Sequence, residues 1–127
     1  MVNYVDGFVH PIPRDKLDEY ELLVSKVAEI WKELGALDYW ECIGDDLHLE
    51  GTRSFTDLVS ARDDEAILFG WVVFESREAR DLANEKVAAD PRMAELMANS
   101  NVGFDAQRMA YGGFLPFVPQ PGIADKN

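Results

Sequence analysis

Residues 66–75 read Ala-Ile-Leu-Phe-Gly-Trp-Val-Val-Phe-Glu and carry apolar side chains on both alternating faces. Such a two-sided apolar pattern is typical of a central strand that is covered on both sides. Ser76 follows, and serine is a favourable N-cap residue, so we predict a helix that begins there and runs to about Ala89. On the other side, Asp63-Asp64 indicates a turn, and residues 54–61 are predicted to be a short strand that forms a hairpin with 66–75.

The segments on either side of this region supply the remaining elements. Apolar residues three and four apart predict a long helix over 14–34, which ends before Gly35. The other predicted elements are strands at 3–10, 36–44 and 107–117, and a short helix that begins at Asp90-Pro91. Without the strand at 54–61 the order is βαββαβ, so we predict an α+β, ferredoxin-like sandwich with an extra short strand.

One domain accounts for the chain. Its 127 residues fit a single domain. We assign residues 1–117 to this ferredoxin-like domain. Residues 118–127, with two prolines and a glycine, are predicted to form a flexible tail.

The predicted sheet has helices on one face only, yet its other face is also apolar. An uncovered apolar face of this size exceeds what a monomer usually exposes. Pairing of two sheets about a two-fold axis covers that face, so we predict a homodimer.

The charge of the chain predicts that it binds neither nucleic acid nor a membrane. Twelve Lys and Arg face 24 Asp and Glu, which gives a net charge of −12 without a visible basic cluster. Nucleic acids and anionic membranes bind basic surfaces. Most aromatic residues fall at predicted core positions, which argues against base stacking. With no signal peptide and no apolar run near the ~20 residues of a membrane helix, we predict a cytoplasmic protein.

Two further features of the sequence are a single thiol and an acidic loop. Cys42 is the only cysteine and lies in an apolar stretch, so a buried, inert thiol is favoured over a reactive one. Asp45, Asp46, His48 and Glu50 carry donors suited to a divalent metal but have no recognised metal-binding spacing. A solvated acidic loop is the favoured interpretation, and no metal site is predicted.

Asp6 is the most informative residue for function, because it lies mid-strand between Val5 and Gly7. Burial of a carboxylate without partners is costly. In the βαββαβ plan the first and last strands are antiparallel neighbours, which brings together a polar cluster of Asp6, His10, Arg108 and Tyr111. The cluster fits a ligand site in an apolar pocket, or a structural network that fixes strand register or a dimer interface.

Four glycines fall in three strands that are predicted to be adjacent: Gly7, Gly70, Gly112 and Gly113. Glycine in a strand often marks a bulge or a close approach by a ligand or another backbone. These residues therefore fit either the floor of a small-molecule pocket or tight packing with a bulge at Gly112-Gly113.

Several segments together resemble the YbaA-like family of small bacterial proteins, a domain of unknown function. The most specific are Tyr4–Val9 and Phe104–Phe114, supported by Arg80–Asn84 and Asp90–Met93. The resemblance implies a dimeric α/β-barrel, in which two ferredoxin-like protomers pair their sheets. That superfamily includes cofactor-free monooxygenases, haem-degrading enzymes, isomerases, lyases and members with no known activity.

The resemblance implies two alternatives for function. The first is a cofactor-independent enzyme that binds a small molecule. The second is a homodimer with a binding or structural role and no chemistry. We expect no cofactor, and the family supplies no catalytic residues that transfer to this chain.

Overall fold

The computed structural model describes residues 3–118. It has four strands: β1 (Tyr4–Pro13), β2 (Asp38–Ile43), β3 (Glu65–Phe74) and β4 (Ala110–Phe114). The helices are α1 (Leu17–Glu33), α2 (Phe55–Leu58), α3 (Arg77–Ala89) and α4 (Pro91–Ala98), with 3₁₀ turns at Arg14–Lys16 and Ala106–Arg108. Except for Val118, the predicted tail lies outside the described residues.

The strands form one antiparallel sheet in the order β2-β3-β1-β4, which is the ferredoxin-like order. The two central strands are β3 and β1, as the two-sided apolar pattern predicted for residues 66–75. β1 pairs with β4 so that Asp6 lies opposite Gly113. The α+β, ferredoxin-like βαββαβ prediction is confirmed.

The predicted strand at 54–61, and with it the hairpin, is wrong. This segment contains the short helix α2, whose first turn is capped by the hydroxyl of Ser54 accepting from the backbone N–H of Thr56 at 3.1 Å. β2 already occupies the edge of β3 where the hairpin partner would have paired. Val59 then packs with Val9 and Ile67 and covers one end of the sheet face that the main helices leave free.

The helix boundaries follow the local sequence signals. The hydroxyl of Ser76 accepts from the N–H of Ala79 at 3.0 Å at the start of α3. The carboxylate of Asp90 accepts from the N–H of Arg92 at 2.8 Å at the start of α4, with Pro91 in the first turn. Gly35 has a φ of 137° just after α1, a conformation that favours glycine. These three predictions are confirmed.

The two faces of the sheet differ. Alternate residues of β1 and β3, among them Phe8 and Val72, face α1, α3 and α4 and form the core. The opposite side, here called the open face, is apolar and only partly covered. Its members on the strands include Trp40, Cys42, Phe69, Trp71 and Phe114.

Two predictions about the open face are corrected. Cys42 is exposed in the single chain, because it lies opposite Phe69 on the side of edge strand β2 that the helices leave free. Aromatic side chains were expected mostly in the core, yet Trp40 is 51% and Phe114 61% exposed. Their strand positions alternate away from the helices, which single-residue hydrophobicity does not reveal.

Candidate functional site

A cavity of about 270 Å³ lies between the sheet and helices α1 and α4. β1 contributes alternate residues to its wall, namely Asp6, Phe8 and His10. The apolar stripe predicted for the long helix faces the cavity from α1, and methionines of α4 and Phe104 from the following loop complete it. The cavity is therefore largely apolar, with its polar groups concentrated on the strands and on Tyr20 of α1.

The spacing on β1 separates the polar groups into two ends. Asp6 and His10 are four residues apart, which places their Cα atoms roughly 13 Å from each other. Phe8 lies between them, with its ring stacked on that of Tyr111 at 6.2 Å between centroids and 6.0 Å from that of His10. The middle of the cavity is therefore apolar, and a polar group lies at each end.

At one end, the buried carboxylate of Asp6 meets a phenol and a guanidinium. The hydroxyl of Tyr111 donates to Oδ2 of Asp6 at 2.6 Å, and Nη1 of Arg80 lies 3.2 Å from Oδ1. The Arg80 guanidinium also lies 4.9 Å above the ring of Tyr4, a cation–π arrangement. The positive charge of Arg80 offsets the cost of burying Asp6.

At the other end, Glu41 accepts hydrogen bonds from two phenolic hydroxyls. Tyr20 donates to its Oε1 at 2.6 Å, and Tyr39 donates to its Oε2 at 2.8 Å. Nε2 of His10 lies 3.0 Å from the Tyr20 oxygen and 3.6 Å from Oε1 of Glu41. His10, Tyr20 and Glu41 therefore form a chain of hydrogen bonds, here called the His10 chain.

The three tyrosines of the site stay protonated at neutral pH. Burial, followed by the negative charge of Glu41, raises the pKa of Tyr20 and of Tyr39 well above the usual value. Burial and the hydrogen bond to Asp6 likewise raise the pKa of Tyr111. These hydroxyls act as hydrogen-bond donors to the two carboxylates rather than as ionised groups.

Three buried polar atoms at the site lack a hydrogen-bond partner among residues 3–118. They are Nδ1 of His10, Oδ1 of Asp6 and Nε of Arg80, although Oδ1 of Asp6 is within ion-pair distance of Arg80, and Nε of Arg80 is within ion-pair distance of Asp81. Nearly all buried polar atoms in native proteins are hydrogen-bonded. His10 and Asp6 are each only 1% exposed, so bulk water does not supply the missing bonds.

The structure brings three of the four predicted cluster residues to the cavity: Asp6, His10 and Tyr111. Arg108 is elsewhere. Its guanidinium donates to both oxygens of Glu65 at 2.6 and 2.8 Å, and to the carbonyl of Ser60 at 3.2 Å. Because β4 pairs with β1 only from Ala110 onward, Arg108 lies beyond that ladder, beside the start of β3.

Sequence reasoning missed four polar residues of the site. Arg80, Tyr20, Tyr39 and Glu41 supply most of its hydrogen bonds. One signal was available: Arg80 lies three residues before Ala83 and seven before Val87, both buried, so it shares the inward stripe of α3.

The four glycines divide between the two faces. At Gly70 an added Cβ would lie 2.5 Å from the ring of Phe8, and at Gly113 it would collide with Tyr4. At Gly7 and Gly112 an added Cβ would point to the open face and would lie 3.5 Å from the ring of Phe114. Gly70 therefore allows Phe8 to take its position in the cavity wall, whereas Gly7 and Gly112 face away from the cavity.

The described residues contain no group of three or more His, Cys, Asp or Glu side chains arranged to hold a metal ion. Across residues 3–118, no helix combines the length and apolar character that a membrane span requires.

The comparisons with known proteins identify the family. The model of the family described as "Protein of unknown function (DUF1428)" matches residues 3–106. The chain belongs to this family. A relative from Escherichia coli K12, "Uncharacterized protein YbaA", is 42% identical over 119 residues, covering 94% of this chain and all of that protein. The resemblance to the YbaA-like family is therefore confirmed.

Solved structures similar to this DUF1428 chain share its fold. A dimeric ferredoxin-like protein from an uncultured marine organism superimposes with a TM-score of 0.54 at 8% identity, covering 94% of this chain and 100% of that one. A mutant of SnoaB, a cofactor-independent oxygenase from Streptomyces nogalater, has a TM-score of 0.53 at 14% identity, with coverage of 92% and 97%. At these identities the likeness shows the ferredoxin-like fold alone.

Proposed function

We propose that this DUF1428 protein binds a small molecule in the cavity between its sheet and its helices, and acts on it without a cofactor. The proposal rests mainly on His10, which is one of the residues that line this apolar cavity and whose buried Nδ1 has no hydrogen-bond partner within residues 3–118. Apolar pockets with a few polar groups are the usual form of small-molecule sites.

A ligand accounts for the polar atoms at both ends of the cavity. Leaving a buried polar atom unpaired costs about 1–3 kcal/mol. A molecule that hydrogen-bonds to Nδ1 of His10 at one end, or to Oδ1 of Asp6 at the other, would remove part of that cost. The intervening surface, including Phe8, would contact an apolar body.

The size of the cavity limits the ligand. Its volume of about 270 Å³ is slightly below the ~300–1,000 Å³ range of typical ligand pockets. The molecule is therefore small, of about one or two rings.

Cofactor-independent chemistry is supported by the side chains and, as an analogy, by the fold that SnoaB shares. Histidine is the commonest general acid or base in catalysis, and His10 is supported by a carboxylate through Tyr20. We place this activity in the cytoplasm.

Ligand binding is tested with a cavity-filling variant. Val24 lies on α1 in the cavity wall, and Val24→Phe would occupy the space. Leu22→Phe adds a ring on the outer side of the same helix, where Leu22 is exposed, and serves as the control. In a thermal-shift screen of one- and two-ring compounds, we expect stabilisation of the wild type and Leu22→Phe but not of Val24→Phe. Equal responses of all three, or none, would contradict ligand binding in this cavity.

The homodimer is supported by the open face. Phe69 and Trp40 are among its exposed aromatic side chains, and Trp40 stacks on Trp71 at 5.9 Å between ring centroids. A contiguous aromatic surface of this kind is typical of an interaction site. We propose that two copies of the chain pair through it.

A homodimer without chemistry is the second candidate, and the ion pair between Asp6 and Arg80 favours it, because a buried pair can serve structure alone. The two candidates differ in Asp6→Asn. Loss of ligand binding by a variant that is still folded supports the site, whereas loss of stability with ligand binding unchanged supports the structural role alone.

We also propose that the protein does not bind nucleic acid, although the open face carries aromatic side chains. Sheet platforms that bind RNA combine such aromatics with a basic surround, and this chain has a net charge of −12. A gel-shift titration at about 150 mM salt tests the proposal. Submicromolar binding with a steep salt dependence would contradict it.

A further inference from the structure

We infer that His10 is the proton acceptor of this site, and that the ligand is a small, neutral molecule with a weakly acidic hydroxyl, such as a phenol or an enol. The inference rests on the proposed ligand site and adds the identity of the base and the chemical class of the ligand.

The His10 chain fixes which nitrogen of His10 carries the proton. A phenol has one proton to donate. Tyr20 donates that proton to Oε1 of Glu41 at 2.6 Å, so its oxygen acts as an acceptor toward Nε2 of His10 at 3.0 Å. Nε2 therefore holds the hydrogen, and in the neutral ring Nδ1 is left with a free lone pair.

Nδ1 is the atom left for a ligand. It is buried and has no hydrogen-bond partner in the described part of the chain. The nearby aromatic ring of Phe104, 5.3 Å from the His10 ring and at 88° to it, offers no lone pair and no N–H or O–H donor. A bare lone pair on a residue that lines an apolar cavity selects a ligand that donates a hydrogen bond, and a hydroxyl is the simplest such group.

The surroundings also favour transfer of the proton. When the ligand O–H bond breaks and an Nδ1–H bond forms, the electron pair stays on the ligand oxygen and His10 becomes positive. The carboxylate of Glu41, 3.6 Å from Nε2, attracts that positive charge. The ligand anion and the imidazolium then form a neutral pair inside the cavity.

Tyr20 and Glu41 act through His10, so they are positioning residues. Tyr39 provides an internal comparison, because its hydroxyl also donates to Glu41 but has no hydrogen bond to His10. Removal of the Tyr20 hydroxyl breaks the His10 chain, whereas removal of the Tyr39 hydroxyl leaves the link from His10 to Glu41 intact.

The test uses 4-nitrophenol, whose anion absorbs visible light, and 4-nitrotoluene, which has nearly the same shape but no hydroxyl. Both are titrated into the full-length protein at a pH at which free 4-nitrophenol is mostly protonated. We expect 4-nitrophenol to bind more tightly than 4-nitrotoluene, and its bound ionised fraction to exceed that of the free probe.

Variants assign the effect to His10. His10→Gln should abolish the extra ionisation of bound 4-nitrophenol. Tyr20→Phe should lower the ratio of ionised to neutral bound probe about tenfold, the effect of one hydrogen bond to a charged group. Tyr39→Phe, which leaves the link from His10 to Glu41 in place, should change that ratio less than Tyr20→Phe does, and Leu22→Phe on the outer side of α1 should leave it unchanged. Circular dichroism of each variant shows that it is folded, and if Tyr20→Phe does not fold, Glu41→Gln takes its place with the same expected loss.

The outcomes separate this inference from the proposed function. Ionisation that depends on His10 and Tyr20 supports the inference. Binding of both probes in the cavity without extra ionisation, or with ionisation unchanged in His10→Gln, overturns it and leaves the ligand site standing. Failure of Val24→Phe to alter any binding overturns both.

Discussion

The phenolic hydroxyl of Tyr20 on α1 donates a hydrogen bond to Glu41 on β2 at 2.6 Å, and the same oxygen lies 3.0 Å from Nε2 of His10 on β1. This hydrogen bond joins a helix to the edge strand of the sheet. It also determines which ring nitrogen of His10, on a central strand, carries the proton. The hydroxyl of Tyr20 therefore takes part both in the contact between α1 and β2 and in the hydrogen bonding of His10, the candidate proton acceptor.

The pair formed by Asp6 and Arg80 should contribute strongly to stability. Asp6→Asn leaves the largely buried charge of Arg80 without its partner, and we expect a loss of about 3 kcal/mol in the free energy of unfolding. Asp81→Asn is the matched control, because Nε of Arg80 is 3.0 Å from Asp81 but that carboxylate is 58% exposed. Its expected cost is below about 1 kcal/mol.

Urea denaturation measures both effects. The double variant Asp6→Asn/Arg80→Gln should cost less than the sum of its single variants, by about 1–3 kcal/mol, because the second change removes the unpaired charge. Equal stability of Asp6→Asn and Asp81→Asn would contradict the assignment of Asp6 to a buried ion pair.

Glu65 should make the protein sensitive to acid. Its hydrogen bonds from Arg108 lower the pKa of Glu65 from 4.5 to about 2, although burial acts in the opposite direction. A lowered folded-state pKa contributes stability that is fully present above pH 4.5 and is lost as the pH falls toward about 2.

Glu65→Gln tests this dependence. We expect it to cost about 2 kcal/mol near neutral pH, below the ~3–5 kcal/mol of a fully buried pair because Arg108 is partly exposed. The difference from wild type should shrink as the pH approaches 2. A difference that stays constant over this range, in urea midpoints recorded across it, is the contrary result.

The sequence permitted the topology to be predicted because each element carries a local signal. The two-sided apolar pattern of β3 and the three-to-four spacing in α1 reflect burial directly. Residues 54–61 have no such clear period. Their conformation depends on the Ser54 cap and on β2 occupying the edge of β3, and the latter is a tertiary fact.

The site was less predictable because side-chain pairing depends on where each element ends. Asp6, His10 and Tyr111 follow from the alternation of β1 and its pairing with β4. Arg108 was misplaced because the start of β4 fell later than predicted. Arg80 contacts Asp6 from α3. This contact could not be predicted, because the angle at which a helix crosses a sheet does not follow from the local sequence pattern.

The glycines of the sheet should differ in their tolerance of a methyl group. At Gly70 an added Cβ would lie 2.6 Å from the backbone oxygen of Trp40 as well as against Phe8, so Gly70→Ala should cost about 1–3 kcal/mol. At Gly112 an added Cβ would lie 3.5 Å from the nearest side-chain atom, an ordinary contact distance, so Gly112→Ala should change the stability little. Thermal denaturation of both variants compares them directly. A smaller loss at Gly70 than at Gly112 would refute the packing described here.

Cys42 provides a reporter of the proposed dimer, because it is the only thiol in the chain and lies exposed on the open face. Pairing of two open faces would shield it, so a thiol reagent should react slowly with the wild type and quickly with Phe69→Glu. Leu22→Glu, on the outer side of α1, should leave the rate unchanged. Light scattering should give twice 14.3 kDa for the wild type. Rapid reaction of Cys42 in a protein of 14.3 kDa would rule the dimer out.

The position of the proton on the His10 ring can be observed by NMR. Long-range ¹H–¹⁵N NMR distinguishes the two ring nitrogens of each histidine, and the chain has only two, so exposed His48 serves as an internal control. We expect that neutral His10 carries its proton on Nε2, that Nδ1 is bare in the free protein, and that saturating 4-nitrophenol protonates Nδ1 without affecting His48. A proton on Nδ1 in the neutral free protein, or a His10 signal that the probe leaves unchanged, would contradict this expectation.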